Sequence, residues 1–164
     1  MVYFVIIRGP LGIGKSTISK ELAKMLNADY ISIDNVLEAH HLDKVPVNEE
    51  CIPVDNFIKA NKFVLSSIKQ RLRNGKVVVF DGNFYHKEQI EDLIKKLDTN
   101  HFVFTLKAPI ELCIKRDSER KKSLGIQAAK VVYNLVSKFD YGTDINVEGK
   151  TIKEILNEIV SYLF

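Results

Sequence analysis

The sequence predicts an α/β fold, a parallel sheet with helices on both faces, on three observations. Apolar, β-branched segments alternate with helix-patterned ones along the chain, the order that builds a parallel sheet. The first apolar run, Val2 to Ile7, is nearly continuous, as expected of a strand buried on both faces. It leads through a glycine-rich loop straight into a helical period, the strand–loop–helix unit of such folds.

The elements follow in order. A strand over 2–8 runs into the loop Gly9-Pro10-Leu11-Gly12-Ile13-Gly14-Lys15-Ser16. A helix over 15–26 places Ile18, Leu22, Met25 and Leu26 at i, i+4, i+7 and i+8, one face of a helix. A second strand spans 29–33, and 35–53 reads as irregular. The helix over 54–73 carries a stripe of Phe57, Val64, Ile68 and Leu72, interrupted by Asn61. Then come a third strand (76–81), a helix (87–98), a fourth strand (101–107) and helical segments at 109–119 and 126–139. A short strand (143–147) precedes the final helix (151–163), whose stripe is Ile152, Ile155, Leu156, Ile159, Val160 and Leu163. No repeat, low-complexity tract or linker interrupts this order, so one domain is expected over 1–164. Connections of this kind are right-handed, and ligands sit beyond the carboxyl ends of the strands.

Composition bounds the class. A chain of 164 residues with 46% hydrophobic and 27% charged residues suits a soluble domain that buries its own core. A net charge of +3 is too small to argue for nucleic acid by itself. Cys51 and Cys113 form no C-x-x-C pair and read as free thiols of a reducing compartment. No apolar run approaches the ~20 residues of a membrane span, and the N-terminus reads as a strand rather than a signal peptide, so a cytoplasmic protein is expected. Adjacent His40 and His41 point apart in any regular structure, and no cluster completes a metal site around them.

The loop matches G-x-x-x-x-G-K-[ST] without a mismatch. Its backbone N–H groups, with the helix N-terminus behind them, form a concavity for phosphates, so the chain is expected to bind a nucleoside triphosphate. Lys15 would reach the outer phosphates and Ser16 would offer its hydroxyl to Mg²⁺. The dinucleotide fingerprint fails, because Thr17 stands where a third small residue is needed. Two acids should emerge at the same sheet edge. Asp34 follows Tyr30-Ile31-Ser32-Ile33, and Asp81 ends Val77-Val78-Val79-Phe80. One carboxylate there can support the Mg²⁺ shell, and another can accept the proton of an attacking hydroxyl. Either could be the base, and Asp34 could instead be only a helix cap.

Taken together, GPLGIGKST, the strand end ISID, the turn FDGNFYH and the later LKAPIELCIKRDSERKK resemble the small P-loop kinases. That group includes shikimate, adenylylsulfate, gluconate, adenylate and polynucleotide 5′-hydroxyl kinases and antibiotic phosphotransferases. The resemblance implies the P-loop NTPase fold with strand order 2-3-1-4-5 and a helical lid over roughly 109–139. It implies ATP and Mg²⁺ as cofactors, with Gly9, Pro10, Leu11, Gly12, Ile13, Gly14, Lys15, Ser16 and Thr17 on the phosphates. It places Asp34 on the acceptor side, and makes the turn Asp81-Gly82-Asn83 an acceptor-binding turn, Asp81 also serving the metal with Ser16. Asn61 and His86 are further acceptor candidates; a satisfied buried amide or a plain surface role would explain them equally. Of the lid bases, Arg116 would pack on the adenine and Arg120 would reach the transferring phosphate. A planar guanidinium can stack on a ring and clamp phosphate oxygens. The alternative is that Glu111, Asp117 and Glu119 pair with these bases on a solvated face. The turn lacks the arginine that adenylate kinases use there, which argues against a nucleoside monophosphate acceptor.

Three classes of function follow. The first is a kinase moving the γ-phosphoryl of ATP to a hydroxyl of a small-molecule acceptor, with Lys15, Asp34 and Arg120 catalytic. The second is the same chemistry on a polynucleotide end; no basic–aromatic stripe favours that nucleic acid partner. The third is an ATP-hydrolysing regulator without acceptor. A GTPase is disfavoured because Asn61-Lys62 continues as Phe63-Val64, not as N-K-x-D. There is no second helical domain of a large oligomeric ATPase, so a monomer or homodimer is expected.

Overall fold

The computed structural model describes residues 1–164. Five strands, β1 (Phe4–Arg8), β2 (Asp29–Ser32), β3 (Val78–Gly82), β4 (His101–Lys107) and β5 (Thr143–Asn146), form one parallel sheet in the order β2-β3-β1-β4-β5. This is the 2-3-1-4-5 order that the resemblance implied. Seven helices connect and cover it: α1 (Lys15–Met25), α2 (Ile33–Ala39), α3 (Val54–Arg73), α4 (Lys87–Leu97), α5 (Ile110–Ser118), α6 (Ile126–Ser137) and α7 (Ile152–Ser161).

The continuous apolar run of β1 has a direct structural cause. Successive strand side chains face opposite ways, so Phe4 and Ile6 enter one core of 18 buried residues while Val5 and Ile7 enter another of 17. The first core takes Leu37 of α2, Phe57 and Ile68 of α3, Leu93 of α4 and Leu135 of α6. The second takes Leu22 of α1, Cys113 of α5 and Ile159 of α7. The last helix starts at a reciprocal cap, in which Thr151 accepts from the Glu154 N–H and Glu154 accepts from the Thr151 N–H.

One element differs from the sequence reading. Helix α2 occupies Ile33–Ala39, where an irregular stretch was expected from residue 35. Ser32 caps it, its Oγ accepting from the Asn35 N–H at 3.2 Å, and Ile33 and Leu37 turn one face into the core. Seven residues are too few to show a helical period above the noise, so the sequence hides it. The segment 40–53 beyond it holds no regular element.

Register fixes where the chemistry lies. Asp81 is level with Ile7 on one side and Ser32 on the other, so β1, β2 and β3 all end along one edge. The glycine-rich loop, Asp34 and the turn after Asp81 leave from that edge.

Candidate active site

The loop from Gly9 to Gly14 returns on itself before α1 begins. Gly14 starts the helix with φ +98°, and Gly12 has φ +77°. A Cβ at Gly12 would collide with the Cys113 carbonyl oxygen and stand 2.8 Å from the Asp117 nitrogen, so the loop lies directly against α5. Ile13 is anchored in the interior at 1% exposure, while Leu11, 6% exposed, lines the cleft beside the loop backbone and the α1 N-terminus. The Lys15 ammonium is buried and donates to the Pro10 carbonyl at 2.8 Å, closing the loop. Burial pushes its pKa below the usual lysine value, while Asp81 and Asp34 oppose the shift.

Ser16 at the head of α1 donates through Oγ to Asp81 Oδ2 at 2.7 Å. Tyr30 donates to the same oxygen at 2.6 Å. Burial raises the Tyr30 pKa, and its bond to Asp81 raises it further, so the phenol stays a donor. Two hard oxygens, Ser16 Oγ and Asp81 Oδ2, thus sit together beside the phosphate loop. No group of three metal-ligating side chains gathers anywhere in the chain. That donor set suits Mg²⁺, which keeps its waters and draws most ligands from substrate phosphates.

Asp34 is the second residue of α2, and the cap is Ser32, so the cap alternative for Asp34 does not hold. Its side chain opens onto the cleft and takes part in no hydrogen bond or ion pair within the chain. The surrounding protein nonetheless displaces enough water to raise its pKa, an effect that Lys15 and Arg120 counter. Loop residues, Lys15, Ser16, Asp34, Arg116 and Arg120 together line a cleft of about 320 Å³. Both arginines therefore reach the phosphate side. Arg120 also pairs with Asp117 at 3.3 Å, the pairing that the solvated-face alternative named. Asp117 is almost wholly buried and accepts as well from Ser123 Oγ at 3.0 Å, which ties the α5–α6 connection down.

A larger chamber of about 730 Å³ adjoins this cleft and shares Leu11, Asp34 and Arg120 with it. Asn83 and Tyr85 of the turn after β3 line it, together with α2, the 43–52 segment and one face of α6. Tyr85 Oη accepts from the Ile52 N–H at 3.1 Å, and His86 Nε2 meets the Ile52 carbonyl at 2.8 Å, so the turn holds the segment in place. His86 thereby lies behind the wall. Asn61 does not join the site either. It is fully buried and donates through Nδ2 to the Gln89 carbonyl and to Asp92, each at 3.0 Å, joining α3 to α4. Its Nδ2 is satisfied while Oδ1 has no partner, and it lines neither cavity, so Asn61 is a buried amide joining two helices.

Sequence reasoning passed over Tyr30, Tyr85 and Arg8. The Arg8 guanidinium at the end of β1 is fully buried and has no carboxylate partner. It donates to the Val136 carbonyl (2.9 Å), Thr105 Oγ1 (3.0 Å), the Phe84 carbonyl (3.3 Å) and the Phe139 carbonyl (3.4 Å), and lies 4.4 Å from the Phe139 ring centre. Burial pushes its pKa down to about 10, against the pull of Asp144 and Asp140. The one available signal was a charged residue ending an otherwise apolar strand.

A family model described as an AAA domain matches residues 4–134. An L-seryl-tRNA(Sec) kinase of Methanococcus maripaludis is 32% identical over 95% of this chain, which spans 64% of that relative's length. A shikimate kinase of Francisella tularensis subsp. holarctica is 28% identical over 97% of this chain and 93% of its own. The solved structure of the Mycobacterium tuberculosis APS kinase in complex with AMPPNP and APS superposes with TM-score 0.74 at 15% identity, covering 99% of this chain and 97% of that one, a likeness of fold. The chain belongs to this AAA domain family and is similar along its length to P-loop kinases.

Proposed function

We propose that this member of the AAA domain family is an ATP-dependent kinase that transfers the γ-phosphoryl group to a hydroxyl of a small-molecule acceptor. The observation that carries this reading is the pair of adjoining cavities, joined at Leu11, Asp34 and Arg120. A nucleotide-hydrolysing regulator needs only the phosphate cleft; a second chamber opening at Asp34 is what an acceptor requires. The names of the relatives, a seryl-tRNA kinase and a shikimate kinase among them, support the same chemistry.

In this mechanism the loop N–H groups, Lys15 and the α1 N-terminus hold the β- and γ-phosphates. Ser16 and Asp81 would hold Mg²⁺, with Tyr30 orienting Asp81 from behind. Bound there, the ion would supply positive charge to the phosphate oxygens. Asp34 takes the proton of the acceptor hydroxyl, whose oxygen bonds to the γ-phosphorus. The bridging P–O bond to the β-phosphate breaks and ADP leaves with that electron pair. The raised pKa of Asp34 makes it a better base than a free aspartate. Arg120 stabilises charge on the transferring group, Arg116 lies beside the nucleotide, and 109–139 acts as a lid that excludes water.

Asp34→Asn tests the reading. It keeps size and most hydrogen bonding but removes the proton acceptor. The variant should bind Mg·ATP nearly as wild type yet lose acceptor phosphorylation by about 10²-fold or more. The acceptor comes from a phosphotransfer screen over pooled metabolites, nucleosides and 5′-hydroxyl oligonucleotides. Wild-type turnover in the variant removes Asp34 from the chemistry, and ATP hydrolysis at one rate with or without every acceptor favours the regulator.

A further inference from the structure

Asp117 is a buried charge that the chemistry described so far does not use. It stands in the last turn of α5 at 1% exposure. Packing alone does not call for a carboxylate there, since an apolar side chain of similar size closes such a seam at least as well. A buried carboxylate persists where donors meet its oxygens, and both are met here. Oδ2 accepts from Ser123 Oγ at 3.0 Å, and that hydroxyl accepts in turn from the Gly125 N–H at 3.2 Å. Oδ1 accepts from Arg120 Nη1 at 3.3 Å, and the Asp117 carbonyl accepts from the Arg120 N–H at 3.1 Å. Arg120 is thus tied to Asp117 twice, through its backbone and through its guanidinium.

The other side of Asp117 touches the phosphate loop. Its backbone nitrogen and Cβ lie 2.8 and 3.1 Å from the point where a Gly12 side chain would begin, so the loop rests on this residue. The Arg120 side chain is 51% exposed and makes no other hydrogen bond within the chain. A long side chain on an exposed turn samples many rotamers, and fixing one of them costs entropy. The empty cleft also works against Arg120, because Lys15 and Arg116 line it too and repel a third cation. The Asp117 carboxylate supplies the opposing attraction. It engages one end of the planar guanidinium and leaves the remaining N–H groups for phosphate oxygens.

We propose that Asp117 is a positioning residue: it holds Arg120 at the phosphate cleft before nucleotide binds and ties the aim of that arginine to the loop at Gly12. This rests on the kinase reading above and adds a residue to its machinery. Stabilisation of a transferring phosphoryl group depends on donors that are already in place, and Asp117 puts this donor in place.

Aluminium fluoride bound with Mg·ADP occupies the position of the transferring group, so it reports Arg120 without any acceptor. Capture is measured with a fluorescent ADP, with and without fluoride, in wild type, Asp117→Asn, Arg120→Ala and the double variant. Asn keeps the size of the side chain but removes the charge that holds the guanidinium. Asp117→Asn should weaken capture by about tenfold or more while Mg·ADP affinity stays within about twofold. In the Arg120→Ala background the same substitution should cost less than about twofold, because a residue acting through Arg120 has nothing left to aim. Losses that multiply, normal capture by Asp117→Asn, or an equal fall in Mg·ADP affinity each overturn the proposal. Should Asp117→Asn fail to fold, Ser123→Ala on the exposed turn removes the other donor from the carboxylate. It should weaken capture several-fold, again only where Arg120 is present, and normal capture in that variant overturns the proposal. A wild type that gains no thermal stability from Mg·ATP sinks the kinase reading, and the proposal falls with it. A wild type that binds Mg·ADP but captures fluoride independently of Arg120, or not at all, overturns the proposal alone.

Discussion

Replacing Arg8 by Met keeps most of the side-chain volume but removes a buried guanidinium that touches four parts of the chain. Its bonds to the Val136 carbonyl and Thr105 Oγ1, at 2.9 and 3.0 Å, have the geometry of full hydrogen bonds, while those at 3.3 and 3.4 Å are weaker. Bonds to a charged donor are worth about 1.5–3 kcal/mol each, and the contact with Phe139 adds about 1 kcal/mol or more. Against this stands the desolvation of the guanidinium, which the variant escapes. Thr105 Oγ1 keeps its own bond to the Tyr141 carbonyl, so it is not stranded. Val136 lies in the last turn of α6, where carbonyls lack helical partners, so its oxygen is orphaned. The balance is a loss of about 3 kcal/mol, or roughly 6–12 °C in Tm for a chain of this size. Urea unfolding at unchanged m-value measures it. Because Arg8 joins α6 to the turn beside Asn83, the acceptor KM should rise while ATP affinity changes little. A loss below about 1 kcal/mol, or an unchanged acceptor KM, would refute the view that this arginine sets the chamber wall.

Three further outcomes are expected. Lys15→Ala should abolish phosphoryl transfer and weaken ATP binding with the fold intact by circular dichroism; normal turnover at saturating ATP removes the phosphate-loop assignment. Arg120→Ala should lower kcat by on the order of 10²-fold with little change in ATP affinity, and unchanged kcat returns Arg120 to a merely structural pair with Asp117. Asp34 has a raised folded-state pKa, so folding is free of its penalty in acid and loses stability as pH rises through that pKa. Asp34→Asn should therefore be more stable than wild type at neutral pH and equal to it in strong acid, and the acid limb of wild-type kcat/KM should lie above the usual aspartate range; a less stable variant at pH 7 contradicts the burial argument.

How far the fold could be read from sequence depended on how long each signal ran. The stripe of the last helix was legible because it repeats one face several times, the continuous run of β1 because both its faces are buried, and the strand order is the one the resemblance implied. Helix α2 was not legible, since only Ile33, Val36 and Leu37 mark its inner side over seven residues. A serine two positions before an aspartate was the usable hint, and it assigns the cap to Ser32 rather than Asp34.

The site divides along a physical line. Phosphate binding uses backbone N–H groups, and backbone geometry leaves a mark in sequence because Gly12 admits no side chain beside Cys113 and Asp117. The motif G-x-x-x-x-G-K-[ST] names those residues from the sequence alone. The acceptor chamber is built differently, from side chains on α2, an irregular segment, a turn and α6, brought together only by the sheet register. Nothing local requires Glu38, Glu49, Asn83 and Val131 to share a cavity, so no spacing could announce it. Asn61 misled for the complementary reason: a polar residue in an apolar stripe reads the same whether it meets a ligand or, as here, the Gln89 carbonyl. Arg8 shows the same limit from the other side, because its four acceptors lie between 76 and 131 residues away along the chain. Chemistry carried by the main chain is therefore written in short motifs, whereas specificity carried by side chains becomes visible only once the fold has closed around it.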